Sequence, residues 1–372
     1  MAKLKFSSVA KPRSIRKYWF GTLLRGNLIR RKKLLKIGIA GLGFMGQMHY
    51  RCWKARVDAQ IVAICDTNKN IVEDCKKTVG NIEGAENAID FTDINIYHDF
   101  AKMLEEEQLD AISLTLPTYL HAKHTIQALE AGVNVLCEKP MGLNVAECDS
   151  MIAAAKSSRK VLQIGHCVRF WPEYAKVKEI IEGGEYGKVI AATFQRLSAT
   201  PTWSYENWIM NEQRSGGVVL DLHIHDTDFV QYVFGIPRAV SSFGGKDSSG
   251  RLGHVVSQYL YDNDSVITAE GGWALMPGFG FEMSFNIVQE KATIVYDCTR
   301  EPAFKVCPAE GEAFTPDVQQ GDGYILQIDH FVKALNGEDV PTITTLDASR
   351  DSVRIVEAEK ESIRTGKVVS LE

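Results

Sequence analysis

Three short stretches of this chain hold residues whose types and spacing suit proton and charge transfer. In Glu138-Lys139-Pro140 a lysine follows the buried-strand pattern at 133–137, and Pro140 disfavours a helical conformation for Lys139. The ammonium is then held at the end of a strand, either over a crevice or as an ordinary surface charge. In GGVVLDLHIHDTD (216–228), Asp221 and His225 are four residues apart, within contact range on one helix face. Histidine accepts a proton near neutral pH, and a carboxylate beside it orients the ring and stabilises the imidazolium. A structural histidine with a capping aspartate gives the same pattern. His223 and His225 look like a His-x-His metal pair, but on a helix they point about 200° apart and further ligands at suitable spacing are lacking, so no metal is expected. In GHCVRFWPEY (165–174), Arg169, Trp171 and Tyr174 suit a wall for a polyhydroxylated ring, with Trp203 and Trp208 later in the chain. Aromatic packing at a domain junction is the other reading.

A fourth stretch, KIGIAGLGFMG (36–46), is built to bind rather than to react. A short apolar strand runs into GLGFMG, and 47–57 reads as a helix. Gly41 permits the tight turn, Gly43 lets backbone approach a pyrophosphate, and Gly46 lets helix and strand pack closely. The first helical N–H groups and the helix dipole then face the phosphates. Asp66 stands twenty positions after Gly46, at the end of the next apolar strand. Its carboxylate can accept both ribose hydroxyls and would repel a 2′-phosphate. The expected cofactor is therefore NAD, with NADP possible because Lys69 lies nearby.

These residues must be positioned by alternating elements. From 36 to about 165, strand patterns at 37–40, 61–65, 111–116, 133–137 and 161–164 alternate with helix patterns at 47–57, 97–107, 119–131 and 144–157. That alternation predicts a doubly wound parallel sheet with ligands at the carboxyl ends of its strands. Gly43, Asp66, Pro117 and Lys139 all fall just past such ends. After Gly165 a helix at 172–182 precedes strands at 189–197, 239–243, 255–261, 265–273, 281–288 and 293–297. Short turns between successive strands predict an antiparallel sheet. One helix, 218–234, interrupts them, and helices at 324–335 and 348–365 close the chain. The expected fold class is α/β, with a leader at 1–35, a Rossmann domain at 36–165 and a substrate-binding and oligomerisation domain at 166–372.

Composition limits the partners. Residues 1–36 hold twelve of the 42 Lys and Arg and none of the 47 Asp and Glu, so the leader is basic and the body acidic. An acidic body argues against a nucleic-acid-binding surface. The leader is expected to be a mobile basic tail, with a partner-wrapping arm, a membrane-surface segment and a targeting peptide as other readings. No apolar run approaches a membrane span. Eight cysteines without a CxxC pair suit reduced thiols in the cytoplasm.

Taken together, GLGFMG (41–46), Asp66, TLPTYLH (115–121), Glu138-Lys139-Pro140, GHCVRFWPEY and GGVVLDLHIHD make the chain resemble the Gfo/Idh/MocA oxidoreductase family, which includes glucose–fructose oxidoreductase and inositol 2-dehydrogenase. The resemblance implies a Rossmann domain followed by an α/β domain with a large open antiparallel sheet. It places Lys139, Asp221 and His225 on the family's catalytic set. Gly41, Gly43, Phe44, Met45, Gly46 and Asp66 fall on its cofactor turn and ribose acid, and Thr115, Pro117, His121 and Glu138 in its nicotinamide-side motifs. Lys139, Arg169, Trp171, Asp221 and His225 are the expected substrate contacts. The implied reaction passes hydride between the nicotinamide and a hydroxyl of a sugar or cyclic polyol. Two alternatives are a glycoside hydrolase acting by transient oxidation and a non-catalytic NAD-sensing regulator. A homodimer or homotetramer is expected, since an open sheet needs its second face covered.

Overall fold

In the computed structural model the described residues are 34–75, 89–202 and 204–372, so the basic leader up to Lys33 and Trp203 lie outside them. The first half alternates as its apolar pattern requires. Its elements are β1 (Leu35–Ala40), α1 (Phe44–Lys54), β2 (Ala59–Cys65), α2 (Ile71–Asp74), β3 (Asn95–Tyr97), α3 (Phe100–Glu106), β4 (Ala111–Leu114), α4 (His121–Glu130), β5 (Asn134–Glu138), α5 (Val145–Ser158) and β6 (Leu162–Gly165). The six strands are parallel and ordered β3-β2-β1-β4-β5-β6. β4 is buried at all four positions, as a parallel strand covered by helices on both faces must be. Strand order reverses between β1 and β4, and a crevice opens there beyond their carboxyl ends.

The helix expected at 97–107 starts later. Tyr97 ends β3, and Asp99 caps α3 by accepting from Lys102 N at 3.0 Å. A carboxylate satisfying an otherwise unpaired helical N–H fixes the helix start there.

The second half comprises α6 (Pro172–Gly183), β7 (Val189–Ala199), α7 (Glu212–Ser215), α8 (Ile224–Phe234), β8 (Ala239–Lys246), β9 (Leu252–Leu260), β10 (Val266–Leu275), β11 (Phe281–Gln289), β12 (Ala292–Asp297), β13 (Phe304–Pro308), α9 (Gly323–Leu335), α10 (Leu346–Thr365) and β14 (Val369–Ser370). Its eight strands follow the order β13-β12-β11-β7-β10-β9-β8-β14. Every pair is antiparallel except β7 with β10. The short strands β13 and β14 were not anticipated from the sequence. The single helix expected at 218–234 is two segments, a π turn at Val219–His223 running into α8.

One face of this sheet is packed by α8 and α10 around an aromatic core. Tyr174 meets Phe229 and Phe285 edge-on at 4.8 and 5.0 Å between ring centres. The chain then returns to the first sheet. Phe331 of α9 packs edge-on against Trp53 of α1 at 6.4 Å. Arg56 pairs with Asp329 at 2.6 Å, and the Gln163 amide donates to Gln327 O at 3.0 Å. These ties fix the crevice of the parallel sheet against β7, β11 and the π turn. Among the described residues no helix is long and apolar enough to cross a membrane.

Candidate active site

A cleft of about 1710 Å³ runs from the glycine turn after β1 to the floor made by β7 and β11. It is larger than the roughly 300–1,000 Å³ typical of one small ligand and suits a dinucleotide together with a substrate. At the turn Gly41 has φ +86°, and a Cβ there would stand 2.8 Å from the Thr115 carbonyl oxygen. A Cβ on Gly46 would collide with the carbonyl oxygen of Gly41, so Gly46 permits the close packing of α1 on β1. Gly43 has nothing within 4 Å of its Cβ position and faces the cleft, so any side chain there would fill the space a pyrophosphate needs. The first backbone hydrogen bond of α1 is Gln47 N to Gly43 O at 3.0 Å, and Gly43 supplies no side-chain cap. The N–H groups of Phe44 and Met45, both lining the cleft, precede that bond and are free to meet an anion.

Asp66 lines the same end. It accepts from Leu42 N at 2.8 Å and Asn68 N at 2.9 Å, which fixes its carboxylate and leaves lone pairs for ribose hydroxyls. Lys69 does not line the cleft. The residues present therefore fit NAD.

Thr115 and Pro117 line the middle of the cleft. The Thr115 hydroxyl donates to Gly41 O at 2.6 Å, pinning the turn. His121, an expected cofactor contact, stands instead behind the wall. Its ring nitrogens face Pro140 O at 2.7 Å and Leu116 O at 2.8 Å, tying the loop after β4 to the loop after β5. Glu138 reaches the cleft from the end of β5 and meets His49 of α1 at 2.9 Å. Burial opposes its ionisation, but the His49 hydrogen bond and the charges of His49, Lys139 and His121 outweigh burial and hold it below the usual carboxylate range. His49 was missed in the sequence. Its signal was its position three residues after Gly46, on the face of α1 that must be buried.

Lys139, Asp221 and His225 converge on the far end of the cleft. Lys139 Nζ donates to the backbone carbonyl of Asp221 at 2.7 Å and lies 3.6 Å from its carboxylate. The expected Asp221–His225 contact is not formed. The π turn, with i→i+5 hydrogen bonds, widens the helix between them, and Asp221 turns to the lysine. His225 Nδ1 is buried without a hydrogen-bond partner among the described residues, while the ring borders the cleft. Burial, then the charges of Lys139, Arg196 and His166, push the imidazole well below its usual range, so it is a neutral base at pH 7. His223 points elsewhere, with Nε2 3.3 Å from the Ser257 hydroxyl in the core. Cys167 also lines the cleft, but burial pushes its thiol up to about 12, which excludes thiolate chemistry at neutral pH.

The expected substrate wall is only partly realised. Trp171 and Trp208 line the cleft, whereas Tyr174 lies in the aromatic core. Arg169 does not reach the cleft at all. It is 3% exposed, and its guanidinium grips Asp228 at 2.8 and 2.7 Å and the Ile343 carbonyl at 2.8 Å. A buried aspartate 59 residues away captured it, which spacing alone cannot reveal. Arg169→Leu should lower unfolding stability by about 3–5 kcal/mol, because Asp228 stays buried without its guanidinium partner and keeps only the Ser352 hydroxyl and the His166 ring beside it. Denaturant melts check this, and equal midpoints for mutant and wild type would contradict it. The arginine that does line the cleft is Arg196 of β7.

A parallel sheet in this strand order, with a glycine turn and ribose acid at its switch point, defines a dinucleotide-binding protein of the Rossmann class. Residues 35–166 match the model of an oxidoreductase family with an NAD-binding Rossmann fold, and 174–295 match the Gfo/Idh/MocA C-terminal domain. Myo-inositol 2-dehydrogenase of Thermotoga maritima is 26% identical over 91% of this chain and 99% of its own length. The NAD(+)-dependent scyllo-inositol 2-dehydrogenase of Bacillus subtilis is 24% identical over 91% of this chain and 96% of its own. In fold, the chain is similar to a levoglucosan dehydrogenase solved with NADH and levoglucosan (TM-score 0.76, 20% identity, 91% of this chain and 99% of that one). The chain belongs to the Gfo/Idh/MocA oxidoreductase family.

Proposed function

We propose that the protein is an NAD-dependent dehydrogenase of cyclic polyols or pyranose sugars that oxidises a secondary or anomeric hydroxyl. The observation that carries this reading is the convergence of Lys139 and the neutral imidazole of His225 on the cleft that begins at the glycine turn. NAD, when bound, supplies nicotinamide C4 as the acceptor for hydride from the substrate carbon. His225 takes the hydroxyl proton on Nε2, since Nδ1 is enclosed in the protein. Lys139 faces the same oxygen and stabilises its developing negative charge. Asp221 acts on Lys139 rather than on His225, holding the ammonium through its carbonyl and carboxylate. Glu138 accepts from Lys139 N at 3.2 Å and steadies the backbone beneath that ammonium. Trp171 offers an aromatic face to the C–H face of the ring. In this reading 36–165 serve the cofactor, and 166–372 serve the substrate and self-association.

A panel of inositols, aldoses and ketoses, followed by NADH formation or consumption, tests the proposal. Oxidation of at least one cyclic polyol or pyranose is expected, and a silent panel would sink it. Asp66 repels a 2′-phosphate, so NADH should bind more tightly than NADPH in a fluorescence titration; the reverse order would overturn the cofactor preference.

The same reading includes a homodimer or homotetramer. The sheet face opposite α8 and α10 exposes Val256, Val266 and Val288, apolar side chains a second copy would cover. Light scattering at micromolar protein should give at least twice the chain mass; a monomer refutes it.

A further inference from the structure

We infer that Arg196 recognises a non-reacting hydroxyl of the substrate and thereby sets which ring the enzyme accepts. The inference rests on the polyol reading above and goes beyond it by assigning the contact.

A guanidinium presents five N–H donors in one fixed plane. In Arg196, Nε and Nη2 meet the Asp226 carboxylate at 2.8 and 3.2 Å. Nη1 has one acceptor among the described residues, the Met283 thioether at 3.5 Å. Thioether sulfur is a weak acceptor, so the edge of the guanidinium away from Asp226 is a strong donor with a poor partner. Arg196 and Met283 both line the cleft.

The arginine is also rigid. It is 4% exposed, it pairs in register with Met283 across β7 and β11, and Asp226 follows His225 directly on α8. The donor edge is therefore fixed relative to the proposed base, as a group that selects by position must be. Arg169 offers nothing comparable, since Asp228 and the Ile343 carbonyl occupy its donors away from the cleft.

The acceptor should be an uncharged oxygen. Asp226 already neutralises Arg196, and Asp221 already neutralises Lys139. A carboxylate entering here would find no unpaired cation beside it. A site built to donate to a hydroxyl discriminates strongly against the analogue that lacks it.

The probe is whichever of myo-inositol, scyllo-inositol and D-glucose the wild-type protein oxidises fastest, with its monodeoxy analogues. Arg196→Lys keeps a cation for Asp226 and removes the fork. It should lower kcat/KM on the parent substrate by about tenfold or more, and on one monodeoxy analogue by less than about threefold, with NADH affinity unchanged. An equal loss on the parent and on every monodeoxy analogue makes the arginine merely structural and overturns the inference. Should Arg196→Lys fail to fold, Met283→Gln sets an amide oxygen beside Nη1 to compete with the substrate. KM should then rise several-fold more for the parent than for that same analogue, and an equal KM change for both overturns it. Faster turnover of D-glucuronate than of D-glucose would overturn the uncharged-oxygen assignment. If wild type oxidises none of the three probes, the dehydrogenase reading fails and this inference with it, whereas an active wild type with a uniform Arg196→Lys loss defeats this inference alone.

Discussion

Lys139→Met is expected to lower kcat by ~10²-fold or more while leaving NADH affinity within a few-fold of wild type. Methionine keeps the length of the side chain and removes the charge. The ammonium lies 2.7 Å from the Asp221 carbonyl and lines the cleft. In the proposed oxidation it would offset negative charge that builds on the substrate oxygen as the proton leaves. That charge grows between ground state and transition state, so the loss should fall on kcat more than on KM. The structural cost is small, because Asp221 is 16% exposed at its side chain and its carboxylate keeps access to water. The glycine turn and Asp66, which line the other end of the cleft, are untouched. Steady-state kinetics on the best polyol and a fluorescence titration of NADH separate the two effects. Near-normal turnover would remove Lys139 from the chemistry, and a parallel collapse of NADH binding would make it a cofactor-binding residue.

The cofactor end of this site was legible because its requirements are local. A tight turn, a close backbone approach and a helix start each demand glycine at fixed offsets, and the strand patterns around them place the turn at the carboxyl end of a strand. Gly41 takes the positive φ of the tight turn, a Cβ on Gly46 would collide with the Gly41 carbonyl oxygen, and the Cβ position of Gly43 is open. The substrate end depends on contacts between distant segments and was only half legible. Arg169 and Arg196 are the same residue type, and which one faces the cleft is decided by the register of β7 and by which buried aspartate each meets. A usable signal did exist. Along β7, Ala192, Phe194 and Arg196 share one face of the strand, and Ala192 and Phe194 are core residues. An arginine on the core face of a strand must be paired, and Arg196 sits where β7 floors the cleft. The π turn gave no such warning. Val219 to His223 has an ordinary helical pattern, and only the packing of His223 against Gly271, where a Cβ would stand 2.7 Å from Nδ1, shows why that helix sits so close to the sheet. With the turn widened, Asp221 goes to Lys139, and the pairing expected from i,i+4 spacing is lost.

As the proposed base, His225 would work without a carboxylate partner, and that sets its expected pH behaviour. Burial first, then the positive charges around it, depress its pKa well below the usual histidine value. In the proposed mechanism the unprotonated ring is the base, so kcat/KM for oxidation should stay flat as pH falls through about 6.5 and decline only in more acid solution. Stability follows the same sign. The folded pKa lies below the unfolded one, so the free energy this group contributes is fully present above about pH 6.5 and is lost as pH falls through the folded value, where protonation favours the unfolded chain. A carboxylate-paired histidine would have done the opposite, with its pKa raised and its acid limb above pH 6.5. His225→Ala removes the base and should cut kcat by about 10²–10⁴-fold. Its residual rate should lose the plateau that the histidine sets and climb continuously with pH, because solvent must then take the proton. A wild-type acid limb centred at or above pH 6.5 would mean that a carboxylate reaches the ring after all, and an alanine variant turning over within a few-fold of wild type would move the base to another residue.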